Sequence, residues 1–295
     1  MWELIPLSLE NNVEAHMIFI RFKRYFLSVV VITLLISVNI SIAQAIEFGS
    51  NNGDYLEVNT TKLYYETYGD GVPLVLLHGG LGSISNFKAV IPELARHFKV
   101  IAVDSPGHGR SEQIDSLSYQ IMAEYIATFI DDLKLNSVNI LGYSDGAITG
   151  LLVSHLRPQK VHRLIFGAGA LSPSASTPEG LAMLMNFSAD MLPPEWEESY
   201  RQKSPNPDYW DEFIQDSKNM WLDEVWISRE ILPEIQTKVL VLFGDRDPFI
   251  PLKHALEIYE LIPESELGIL PNTPHEMFQY PAITNPIVID FLLRD

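Results

Sequence analysis

The chain has 295 residues, 47% hydrophobic and 20% charged, a balance that excludes wholesale disorder and allows one large domain or two small ones. Asp and Glu number 38 against 20 Lys and Arg, a formal charge of −18, so phosphate backbones would be repelled and nucleic acid is excluded as an expected partner. Cysteine is absent, which removes disulfides, thiolate metal sites and a cysteine nucleophile together.

The N-terminal region reads differently from the rest. From Tyr25 to Ile42 no residue is charged; Arg21, Lys23 and Arg24 precede the run and Ala43-Gln44-Ala45 follows it. A basic flank, an apolar stretch and a small-x-small ending describe a secretory signal peptide. Residues 1–45 are therefore expected to be an upstream extension plus a signal peptide, with Met17 the natural start. The folded part is expected to be exported, to the periplasm or the medium. The rival expectation is an uncleaved anchor, because a stretch of this length just spans a bilayer. Membrane contact is expected only through that segment. Its charges cancel, so the exported part keeps the whole −18, a field that favours neutral or cationic ligands over anionic ones.

The mature chain opens with two short β-rich runs, Tyr55 to Val58 and Lys62 to Tyr68, around Asn59-Thr60-Thr61; these predict a hairpin. Continuous apolar runs follow at 73–77, 100–103, 138–141, 164–166 and 239–243, with a late one at 267–270. Such runs suit strands covered on both faces. Helical patterns lie between them: Phe87 to Phe98, Tyr119 to Leu133 with Ser118 as N-cap, Ala147 to Leu156, Lys253 to Leu261, and Ile283 to Leu293 with Pro286 in its first turn. The alternation predicts an α/β fold around a mostly parallel sheet. Ser172 to Glu234 breaks the rhythm. It is rich in proline, contains no strand-like run and holds every tryptophan except Trp2. It is expected to be a helical insertion placed like a lid, because ligands of open α/β sheets bind at the strands' carboxyl edge.

Gly142-Tyr-Ser144-Asp-Gly146 lies between a predicted strand and a predicted helix. In that context G-x-S-x-G is a nucleophile elbow, a sharp turn that pushes the serine hydroxyl above the sheet. A serine needs a base, and the base needs an orienting acid. Of the downstream histidines only His275 sits in a loop after a late strand; His155, His162 and His254 are expected to be packed or solvated. Two acids compete in Gly244-Asp245-Arg246-Asp247-Pro248, and spacing does not choose between Asp245 and Asp247. An oxyanion requires preorganised donors. The amide of Asp145 is one, and Gly80 in His78-Gly79-Gly80-Leu81-Gly82 supplies the other, with Leu81 next in order. The Asp145 side chain has two readings. Facing the pocket, it would favour an amine-bearing substrate; otherwise it bonds local amides or water.

With Asp104-Ser-Pro-Gly-His-Gly-Arg-Ser111 and Pro274-His275, these motifs resemble the α/β-hydrolase superfamily from Tyr55 to the C-terminus. The resemblance implies an eight-stranded, mostly parallel sheet flanked by helices, with core at 46–170 and 236–295 and a helical cap at 171–235. It implies that Asp247 is the acid of a Ser144–His275–Asp247 triad, and that 104–111 shapes the rim. The Ser-Asp-Gly elbow is similar to that of the valacyclovir-hydrolase-like branch. Pro274 stands where the superfamily usually has Gly before the histidine, and Gln279 where it often has Glu. Serine at the nucleophile position argues against haloalkane dehalogenases and epoxide hydrolases, which carry Asp there. The implied reaction is hydrolysis of a small ester, thioester or amide through an acyl-enzyme. A C–C bond hydrolase or lyase, or a ligand-binding homologue, is the alternative. No cofactor is expected, and no metal, because the histidines are dispersed and His-Glu-x-x-His does not occur.

Overall fold

A computed structural model describes Phe48 and residues 52–294, so the predicted extension and signal segment lie outside the described residues. Among these residues no helix is long and apolar enough to cross a membrane. The strands are β1 (Asp54–Val58), β2 (Thr61–Tyr68), β3 (Val72–Leu77), β4 (Phe98–Val103), β5 (Val138–Tyr143), β6 (Val161–Gly167), β7 (Lys238–Gly244) and β8 (Ser265–Leu270). The helices are α1 (Ile91–Leu94), α2 (Tyr119–Asp132), α3 (Asp145–Leu156), α4 (Pro178–Asn186), α5 (Pro194–Lys203), α6 (Trp210–Leu222), α7 (Leu252–Leu261) and α8 (Pro281–Leu293).

One 8-stranded sheet runs β1-β2-β4-β3-β5-β6-β7-β8. Pairing is antiparallel where β2 meets β1 and β4, and parallel everywhere else. Asn59 and Thr60 join the opening hairpin with φ of 48° and 71°, the twist a two-residue turn needs between right-twisted strands. The middle strands are apolar on both faces because both are covered. On β3, Val75 and Leu77 join Ile126, Ile130 and Leu151 from α2 and α3. Leu74 and Leu76 point the other way, into a cluster with Phe87, Phe278 and Phe291.

Two predicted helices are corrected. The stretch 87–98 is not one helix: a 3₁₀ turn at Ile84–Phe87 and the single-turn α1 precede β4, which already begins at Phe98. Phe87, Val90, Ile91, Leu94 and Phe98 are all buried, so the periodicity marked burial, while Phe98 is claimed by pairing with Val72. The last helix starts at Pro281, and Pro286 lies inside it rather than in its first turn. Proline at the first helical position loses no intrahelical bond, which makes Pro281 the natural start. Between β6 and β7 the chain forms α4, α5 and α6 with short 3₁₀ turns and no strand.

Candidate active site

The carboxyl ends of four parallel strands converge. Ser144 follows β5 with φ 52° and ψ −116°, a conformation that non-glycine residues adopt only where the surroundings impose it. Tight packing is that imposition. The Ser144 N–H donates to Gly167 O at 2.8 Å. A Cβ on Gly142 would overlap the Gly146 carbonyl, and one on Gly146 would overlap the Leu77 carbonyl. Both glycines are therefore obligatory for this turn.

His275, after β8, places Nε2 3.1 Å from Ser144 Oγ. Its Nδ1 lies 2.7 Å from Asp247 Oδ2, in the loop after β7. A carboxylate facing Nδ1 fixes the proton there, which leaves Nε2 as the acceptor for the serine hydroxyl. Asp247 is itself held, since its Oδ1 accepts from the amides of Phe249 at 2.8 Å and Ile250 at 3.0 Å. Asp245 does not reach the imidazole: its Oδ1 accepts the Thr273 amide at 3.2 Å and its Oδ2 lies 3.7 Å from Arg246. His254 is buried against Glu257 and the Leu171 amide, away from the serine.

The loop after β3 contributes Gly79 and Gly80 to the same pocket. His78 explains its shape. The His78 Nε2 accepts the Ser105 amide at 2.9 Å, so Nδ1 must carry the proton, and Nδ1 donates to Gly79 O at 2.8 Å. Burial, set against that bond, brings the His78 pKa down to about 4 and keeps the ring neutral. Gly79 C=O and Gly80 N–H belong to one planar peptide and point in opposite directions. Fixing the carbonyl therefore fixes the direction of the Gly80 amide. The rim loop is anchored by buried Asp104, which accepts the amides of Ile84 at 2.7 Å and Arg110 at 2.8 Å.

Asp145 borders the pocket, as the first of its two readings has it, but it does not bond local amides. Its carboxylate lines the pocket yet is only 7% exposed, and its partners are side chains: Tyr119 OH donates to Oδ1 at 2.9 Å and Trp221 Nε1 to Oδ2 at 2.8 Å. Burial raises its pKa, partly opposed by those two donors and by His275. Sequence reasoning missed both partners. Tyr119 read only as the start of a helix, and Trp221 only as one aromatic of the insertion.

The pocket has a volume of about 550 Å³. Trp196, Trp221, Trp226 and Phe187 from the inserted segment face it, and Glu276 and Tyr280 come from the histidine loop. Its acidic side chains are Asp145 and Glu276, and no lysine or arginine lines it among the described residues. No group of three or more metal-ligating residues occurs among the described residues.

The sequence profile of the alpha/beta hydrolase fold matches residues 72–192. The chain has the α/β-hydrolase fold. It is similar to proteins of that fold that are named hydrolases. Human serine hydrolase BPHL is 29% identical over 247 residues, covering 80% of this chain and 84% of that one. The 2-hydroxy-6-oxo-2,4-heptadienoate hydrolase of Pseudomonas putida F1 is 27% identical over 231 residues, 70% of this chain and 83% of its own. Among solved structures, a serine hydrolase involved in carbazole degradation superposes with TM-score 0.65 at 25% identity, covering 82% of this chain and 99% of that one. The meta-cleavage product hydrolase of Pseudomonas fluorescens IP01 gives 0.69 at 19% identity, with 81% and 97% covered.

Proposed function

We propose that the protein hydrolyses a small carboxylic ester, or a related thioester or amide, through an acyl-enzyme on Ser144. The observation that carries this reading is the Ser144–His275–Asp247 chain of hydrogen bonds opening into a pocket of about 550 Å³. Ser144 Oγ attacks the acyl carbon while His275 Nε2 takes its proton. The amides of Gly80 and Asp145 receive the oxyanion. His275 then returns the proton to the leaving group, and a water repeats the cycle to free the acid. Asp247 keeps the imidazole in the required tautomer and stabilises its charged form. No metal or cofactor enters this scheme.

Labelling with a fluorophosphonate probe, followed by peptide mapping, tests the nucleophile without knowing the substrate. Modification of Ser144, lost in His275→Ala, is the expected result; an unlabelled Ser144 would refute the reading. The acidic lining favours a neutral or amine-bearing acyl group, because an ammonium would compensate the buried Asp145 carboxylate. Comparing an α-amino ester with its des-amino analogue tests that refinement, and equal kcat/KM for the two would discard it.

A second reading is hydrolysis of a C–C bond, supported by the relatives whose names specify dienoate substrates. A dienoate carries a carboxylate, and among the described residues the walls of the Ser144 pocket itself hold no lysine or arginine, so a cation for it would have to come from outside that pocket. Parallel assays on short p-nitrophenyl esters and a ring-fission dienoate separate the two. Export rests on the sequence of residues 1–45 alone, and cell fractionation with N-terminal sequencing of the mature protein tests it.

A further inference from the structure

A second cavity, of about 300 Å³, lies between helix α5 of the insertion and the loop after β3. Leu81, Asn86 and Trp196 border both this cavity and the pocket of Ser144, so the two are adjacent. Its chemistry is different. Where the first pocket has only acids among its charged walls, this one presents Lys203 from the end of α5, with the hydroxyls of Ser83, Ser85 and Ser199. Lys203 is only partly exposed, and its Nζ donates to Ser199 Oγ at 2.7 Å. None of the ion pairs among the described residues includes it, although an ammonium has three donors to place. The carboxylate that acts on it, Asp104, is fully buried, already accepts two backbone amides, and has Arg110 3.6 Å away. Burial and the neighbouring Arg110 guanidinium lower the Lys203 pKa, and Asp104 only partly opposes them. An anion in the cavity would relieve both penalties at once. Glu195, at the same cavity, is exposed and stays solvated.

We propose that this second cavity is a subsite for an anionic terminus of the substrate, a carboxylate or phosphate bound by Lys203 while the scissile bond lies at Ser144. The inference rests on the hydrolase reading of Ser144. It narrows the substrate to an elongated molecule, neutral or cationic at the reacting end and anionic at the far end. Such a preference runs against the protein's net charge, which by itself disfavours every anion. A preference for anionic substrates would therefore report local recognition.

The test uses matched ester pairs differing only in a terminal carboxylate or its carboxamide. One series is the monomethyl esters of dicarboxylic acids from adipate to sebacate. The other is ω-acetoxyalkanoates of the same lengths, which place the anion on the alcohol side. At low salt the wild-type enzyme is expected to favour the anionic member of at least one pair by about tenfold in kcat/KM. That ratio should fall to near one or below in Lys203→Met and persist in Lys203→Arg. A second readout needs no turnover: calorimetric titration of the adipate-to-sebacate monomethyl esters and their carboxamide counterparts into Ser144→Ala, with and without Lys203→Met. Ester hydrolysis with no anion preference at any length would overturn the subsite and leave the hydrolase standing. Lys203-dependent binding of the anionic monoesters to a protein that cleaves no ester would do the reverse.

Discussion

The strand ends around Ser144 and the helices between β6 and β7 build two walls of one pocket from different materials. The strand-end wall is backbone: amides, glycines and a serine held by packing too close for a side chain at Gly142 or Gly146. The inserted wall is side chain, mostly apolar and including Phe187 and three tryptophans, and it keeps a large apolar group in water, with Trp196 45% exposed. Backbone fixed by neighbouring strands positions atoms to the precision that bond making demands. Aromatic side chains on an insertion supply contact area that can vary without disturbing the sheet. On the proposed reading, reaction type resides in the first wall and substrate choice in the second. Asp145 is where they meet, its amide in one and its carboxylate tied by Trp221 to the other.

That division can be broken from either side. Ser144→Ala should lower ester turnover by about 10⁴–10⁶-fold, with the urea midpoint scarcely moved. Asp247→Asn, which keeps the shape but not the tautomer control, should lower kcat by about 10⁴-fold. Gly80→Ala should cost about 10²–10³-fold, because its Cβ would press on the Asp145 carboxylate and Trp221 and turn the peptide away from the oxyanion. Trp221→Phe, on the inserted wall, should act mainly on stability. It leaves the buried Asp145 Oδ2 without its donor, a loss of about 1–3 kcal/mol readable by denaturant unfolding. If Trp221→Phe matched Gly80→Ala in lost turnover with stability intact, the division of labour would be wrong.

The smallest effect expected is in the pH dependence of melting. Burial lowers the pKa of His78 to about 4 and of His108 to about 3, the latter also through the neighbouring His78. Unfolded histidine binds its proton near pH ~6.5, so below that value the unfolded chain takes up protons that the folded one refuses, and stability falls with acid. Asp104 opposes the decline. Burial raises its pKa to about 6, so from there down to the unfolded carboxylate value the folded state binds the extra proton. Asp145, raised likewise, adds to that opposition. The net slope should be shallow in the wild type and steeper in Asp104→Asn, which calorimetry between pH 6.5 and pH 4 would show.

What the sequence disclosed follows from how local each signal is. The sheet was legible because strands covered on both faces read as unbroken apolar runs, and Gly142 to Gly146 because one turn contains its own reason. The choice between Asp245 and Asp247 was not legible from spacing, since it depends on where β7 and β8 bring the loop. The region 87–98 misled because buried apolar residues spaced like a helix also fit two tight turns. The partners of Asp145 lie 26 residues before it and 76 after it, and no window along the chain contains both. Lys203 met Ser83 and Ser85 only through folding of the insertion.

The backbone angle at Ser144 has a consequence for anyone improving this protein. Glycine occupies φ of 52° without penalty, whereas serine there carries a burden of about 1–3 kcal/mol. Selection for heat tolerance alone, in a library blind to turnover, would enrich Ser144→Gly and so harvest robust but inert molecules. Any evolution campaign on this scaffold has to couple survival to catalysis from the first round.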